Sequence, residues 1–175
     1  MTTLAVIRWP SDRLRDVSTP LAPEEIGTDS VRQLANDLYE TMSEKHGAGL
    51  SAIQVGVAKR LFVIDGETAN LGGGDWLAFI NPVILSVSKE TEAVKEGCLS
   101  LPRIFVPLPR PRHAKLAALN LRGEEFTVEA EGMYARALLH ETDHLDGKTI
   151  PDYLTATQRD IIRRKFKSRA RKVAR

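Results

Sequence analysis

An apolar run with helical spacing, from about Glu131 to Leu145, ends in His140-Glu141-Thr142-Asp143-His144. Met133, Ala137 and Leu138 give it a buried stripe, and Gly147 supplies the stop. So apolar a helix belongs at the centre of a core, and its two histidines then face a cleft inside the protein. Four residues apart, they lie one above the other on the same face, so both imidazoles reach one metal ion. Glu141 is turned about 100° from His140 and flanks such an ion without binding it. That is the place for a general base acting on water. A surface helix end with the same five residues is the competing reading, and the remaining ligands decide between them.

A catalytic site of this type takes three protein ligands and leaves one position open. The chain after His144 contains no Glu and no His, and Asp146, Asp152 and Asp160 fall in no ligand pattern. Upstream stands the only cysteine, Cys98, within Glu96-Gly97-Cys98-Leu99-Ser100. A lone cysteine is often a small buried hydrophobe, but with two histidines it gives a soft, singly negative donor set. It has no partner for an internal disulfide, and the chain shows no secretory signal, so a reducing cytoplasm is expected. A third segment, Gly47-Ala48-Gly49-Leu50-Ser51-Ala52-Ile53-Gln54, follows a helix pattern. Its glycines let another backbone approach closely, and the Gln54 amide can polarise a carbonyl. A helix-stop loop entering a strand explains the same residues.

Taken together and in order, these segments resemble the peptide deformylase family, whose motifs are Gly-x-Gly-Leu-x-Ala-x-Gln, Glu-Gly-Cys-Leu-Ser and His-Glu-x-x-His with Asp before the last His. The resemblance extends to Ile150-Pro151-Asp152-Tyr153-Leu154 and a basic final helix. It implies hydrolytic removal of the formyl group from the N-terminal formyl-methionine of nascent polypeptides, with release of formate. It implies one divalent ion on Cys98, His140 and His144, ferrous iron as the usual native metal, with zinc, nickel or cobalt as substitutes. Glu141 is the implied base, and Gln54 with the Leu99 backbone N–H the implied oxyanion donors. Gly49 is expected to offer backbone groups to the peptide, with Leu50, Ile53 and Leu139 near the methionine side chain. Departures from the family pattern are Ser51 in place of alanine, Ile53 in place of proline, Leu139 in place of glutamine, and Phe105 in place of an arginine found in some members. The departures in the first motif are read as carrying no chemistry. Asp143 points away from the ion and suits a salt bridge with Arg110, while Glu96 reads as a structural acid and His46 and His113 as ordinary surface histidines. A protease of the His-Glu-x-x-His type is disfavoured by the missing downstream ligand. A catalytically silent ribosome-binding relative has no positive support, because every proposed catalytic residue is present.

At 175 residues the chain suits a single catalytic domain spanning 1–175, able to bury a core without disulfides. No apolar stretch approaches the ~20 residues of a membrane span, and no sequence-specific nucleic-acid partner is expected. The net charge of +2 hides an asymmetry. Residues 159–175 hold nine Lys or Arg against Asp160, which leaves 16 basic and 22 acidic residues, a net −6, for the rest. The tail reads as a solvated helix face, with contact to the ribosome surface as the functional alternative.

Helices are also expected from about Asp29 to Lys45, with Val31, Leu34, Leu38 and Met42 on one face, and from the capping pair Thr155 and Gln158 onward, with Ile162, Phe166 and Ala170 buried. Strands are expected at Arg60–Ile64, Trp76–Ile80, Val83–Val87, Lys115–Leu121 and Glu125–Ala130. Grouped strands without βαβ alternation predict an α+β fold, antiparallel sheets packed around the central metal-binding helix. Leu71-Gly72-Gly73-Gly74-Asp75 reads as a hairpin turn, and Pro102, Pro107, Pro109 and Pro111 as an irregular stretch walling the cleft.

Overall fold

The structure, a computed structural model, describes residues 3–71 and 75–173, with side chains to Phe166. Gly72, Gly73 and Gly74 of the expected turn, and Ala170 with the tail charges from Lys167 onward, lie outside the described residues and side chains. The fold is α+β. Helix α1 (Asp29–Glu44) is followed by strands β1 (Gly49–Ser51), β2 (Leu61–Asp65) and β3 (Trp76–Val87). Next come β4 (Thr91–Glu96), β5 (Val106–Pro111), β6 (His113–Leu119) and β7 (Glu125–Glu131). Helix α2 (Gly132–Leu145) and helix α3 (Ala156–Val173) complete the chain. Strands β1-β2-β3-β6-β7 form one sheet in that order, every pair antiparallel, and β4 pairs β5 in a second.

Alternation along β2 sets the layering. Phe62 and Ile64 join a core with Phe79, Leu116 and Leu138, on the side of α2. Leu61 and Val63 join Leu38 and Met42 of α1 on the other face. A strand buried on both faces reads as a continuous apolar run, as Leu61–Ile64 does. The sheet therefore presses α2 between itself and the β4-β5 hairpin, which fixes where the histidines can stand. Helix α3 begins on the expected capping box, with Thr155 N–H donating to Gln158 Oε1 at 2.9 Å. Its Phe166 packs edge-on against Trp9.

Three expectations change. The two strands expected on either side of Asn81 and Pro82 are one strand, β3, with a register shift between Ile80 and Val83. Asn81 takes a left-handed φ of 49° there and pairs its amide with both backbone groups of Leu21, so the bulge absorbs the proline without ending the strand. The proline-rich stretch is not irregular. Pro107, Pro109 and Pro111 occupy alternate, outward places of β5, where an antiparallel ladder asks for no N–H, while Val106, Leu108 and Arg110 point inward. Finally, Met133 is exposed rather than buried, because its side of α2 faces an open cleft.

Candidate metal centre and its cleft

Helix α2 supplies His140 and His144 one turn apart, and the turn after β4 supplies Cys98. Cys98 Sγ lies 3.2 Å from His144 Nε2, and the two Nε2 atoms are 3.2 Å apart. The three donor atoms all fall within 4.8 Å of one another. Ligands of a tetrahedral ion with bonds of about 2.0–2.3 Å stand about 3.3–3.6 Å apart, so the two edges that meet at His144 are close to the lengths such an ion requires. Asp143 is not in it. As expected, its carboxylate binds Arg110, and Tyr153 OH donates to it as well.

Electrostatics fit a cation at the same point. Burial works against charge on His140, yet Cys98 and Glu96 hold its pKa well above the usual imidazole value. Burial and the neighbouring His140 hold His144 well below it, so that its Nε2 lone pair is available. The pull that keeps a proton among these three atoms is the pull that would keep a metal ion there.

Glu96 does more than the sequence disclosed. Its carboxylate accepts from His140 Nδ1 at 2.7 Å, from Arg110 through two nitrogens at 3.0 and 2.8 Å, and from Arg136 at 2.9 Å. Burial pushes its pKa up, but the bonds from His140 and Arg110 outweigh this and hold it well below the carboxylate range. An ionised carboxylate only accepts, so His140 carries its proton on Nδ1 and turns Nε2 toward Cys98 and His144. The signal available in sequence was the need of a buried ligand histidine for a partner on its second nitrogen.

Glu141 is buried, and burial raises its pKa against the opposing charge of His140 and the hydrogen bond from Ser51. Ser51, read as a neutral departure, donates from Oγ to the Glu141 carboxylate. Its backbone N–H donates to Gln54 Oε1 at 2.9 Å. That bond turns the Gln54 amide nitrogen toward Cys98 Sγ at 3.4 Å and Ser100 Oγ at 3.1 Å. One serine thus orients two side chains expected to act.

The cluster lies at the wall of a cavity of about 970 Å³, lined by Gly49, Gln54, Cys98, Leu99, His140 and Glu141 among others. Leu50 and Ile53, expected beside the methionine side chain, line no part of it. In a strand, successive residues face opposite sides: Gly49 and Ser51 face Glu141, while Leu50 turns into the α1 core. Ile53 is buried at 2 % exposure in the 3-10 turn Ala52–Val55, and Leu139 packs in the α2 core. Met133, Ala137 and Phe105 line the cavity in their stead. His46 stands exposed at the rim, and His113 is exposed beside Glu131, neither near the cluster.

The model of the polypeptide deformylase family matches residues 3–160. The chain belongs to this family. A peptide deformylase of Rhizobium meliloti (strain 1021) is 42% identical over 171 residues, which cover 98% of this chain and 96% of the relative. Among solved structures, a peptide deformylase from Legionella pneumophila superposes with a TM-score of 0.90 at 33% identity, covering 99% of each chain. A Met-Ala-Ser-bound peptide deformylase from Acinetobacter baumannii superposes with a TM-score of 0.81 at 29% identity, covering 87% of this chain and 99% of that one. The chain is accordingly a metal-dependent hydrolase that removes the N-formyl group from formyl-methionyl peptides. Among the described residues, no helix is long and apolar enough to cross a membrane.

Proposed function

We propose that Cys98, His140 and His144 hold one divalent ion and that Glu141 carries the proton in hydrolysis of the formamide. The ion, when bound, supplies Lewis-acid polarisation and makes water a stronger acid. Glu141 removes a proton from the attacking water, whose oxygen bonds to the formyl carbon. The C–N bond then breaks, the same carboxyl returns the proton to the departing amine, and formate leaves. With Ser51 on Oε2, the other oxygen of Glu141 faces Gly49 and the cleft and is the one free for this transfer. Gln54 Nε2 and the Leu99 N–H donate to the formyl oxygen as it gains charge; one such donor is typically worth about 10²–10³ in rate. The peptide runs beside Gly49, where the lack of a side chain admits a second backbone. The methionine side chain rests among Met133, Ala137 and Leu99, apolar groups of the cavity wall. A relative that holds Met-Ala-Ser supports a peptide in this cleft.

The donor set of one thiolate and two imidazoles accepts several divalent metals, and the resemblance to the family is what favours ferrous iron, with zinc, nickel or cobalt as substitutes. The proposal extends to a cytoplasmic site of action and to contact of the basic tail with the ribosome surface, on the strength of nine cationic residues against one acid. The observation that carries the reading is the meeting of a mid-chain sulfur with two imidazoles beside a buried carboxylate. Anaerobic purification with metal analysis and a formate-release assay on formyl-Met-Ala-Ser tests it. One ion per chain and formate release are expected; Glu141→Ala keeps the ion and loses turnover, whereas Cys98→Ala loses both. Full turnover in Glu141→Ala refutes the assigned base.

A further inference from the structure

Charges around the cleft are one-sided. Arg8, Lys45, Lys95 and Arg103 line it from four separate parts of the chain: the N-terminal segment, the end of α1, β4 and the turn before β5. The acids among the lining residues are Glu96 and Glu141. Both are buried, and Glu96 is matched by Arg110 and Arg136. No exposed carboxylate is among the described lining residues. This is not the background of the molecule, since residues 1–158 carry 16 basic and 22 acidic groups. Arg8, Lys45 and Lys95 are exposed, and no ion pair among the described residues engages them. A mostly acidic body thus presents a basic ring at the mouth of its reactive cleft.

A cleft rimmed by one sign of charge focuses the field and raises the local concentration of oppositely charged ligands. Whatever follows the first residue of a bound peptide leaves through that mouth, at about 3.3 Å of chain per residue. Leu99, Phe105 and Met133 on the walls suit a peptide better than a phosphate chain. We propose that the rim selects formylated peptides with acidic side chains a few residues downstream of the first, and that Arg8, Lys45 and Lys95 set this preference. The proposal rests on the deformylase reading of the same site.

The test compares formyl-Met-Ala-Ser-Glu-Glu with formyl-Met-Ala-Ser-Lys-Lys on the metal-loaded full chain. At low salt kcat/KM is expected to favour the glutamate peptide by about three- to tenfold, the scale of a few exposed charge pairs, and the ratio shrinks as salt is added. Combined Arg8→Glu, Lys45→Glu and Lys95→Glu changes, all at exposed positions, are expected to invert it. A wild-type ratio near one or favouring lysine, or a ratio unmoved in the variant, overturns the proposal. If no peptide, including formyl-Met-Ala-Ser, releases formate, the deformylase reading is what fails. Equilibrium binding of the two charged peptides, by fluorescence anisotropy, then decides the preference by the same criterion.

Discussion

Gly49→Ala tests the placement of the proposed base without touching a metal ligand. A Cβ at position 49 would stand 2.7 Å from Glu141 Oε1, 2.9 Å from its Cγ and 2.8 Å from Ile64 Cδ1. Carbon contacts are comfortable at about 3.5–4.0 Å, so relief of roughly 0.7 Å is needed on two sides at once. Ile64 pairs with Gly49 across the sheet and is fully buried, so it has no room to retreat. The displacement falls on Glu141, whose other oxygen is held by Ser51. A misplacement of about 1 Å can reduce catalysis on the order of 10²-fold, and overpacking costs about 1–3 kcal/mol of stability. The expected outcome is a folded protein with its full metal content, a lowered melting temperature and kcat reduced about 30- to 100-fold. Formate release, metal analysis and thermal unfolding measure the three. A folded Gly49→Ala protein with kcat within twofold of the parent refutes the claim that Gly49 is required to make room for Glu141.

Two further substitutions separate supporting roles. Glu96→Gln removes the charge shared by Arg110, Arg136 and His140. Leaving buried cations unmatched typically costs about 3–5 kcal/mol, and loss of a ligand's hydrogen-bond partner about 10- to 100-fold in metal affinity; denaturant unfolding and chelator competition read these, and unchanged metal affinity would deny Glu96 its orienting role. Ser51→Ala is expected to lower kcat about three- to tenfold with KM and metal content unchanged, because it frees the carboxylate without reaching the peptide; a change confined to KM would contradict this.

The helices were legible because their apolar faces are long and regular: Val31, Leu38 and Met42 in α1, Ala137 and Leu138 in α2. The β4-β5 hairpin was not, because Thr91–Glu96 is half charged and mostly exposed, and β5 spends every second residue on proline. Met133 misled for a physical reason. A residue lining an apolar cleft has the composition of a core residue, and periodicity reports which face a side chain is on but not what that face meets. The proposed metal ligands were legible as motifs since their chemistry admits few residue types. Their supports were not: Glu96, Ser51 and Arg136 act through partners 40 to 90 positions away, and a single chain carries no sign of such pairings.

The buried charges also bear on what the site can hold. Beneath the ligands, Glu96 and Asp143 are met by Arg110 and Arg136, so this layer is neutral on its own. Above it stand Glu141 and Cys98, two groups that are anionic in a working site, with imidazoles that are neutral when they coordinate. A dication cancels these two negative charges, and the enclosed set then carries no net charge. A single proton shared with His140 cancels only half of them, and burying so many ionisable groups together costs least when their charges balance. The architecture therefore matches a divalent ion by charge as well as by donor spacing, and the carboxylate that completes the balance is the one proposed to move the proton.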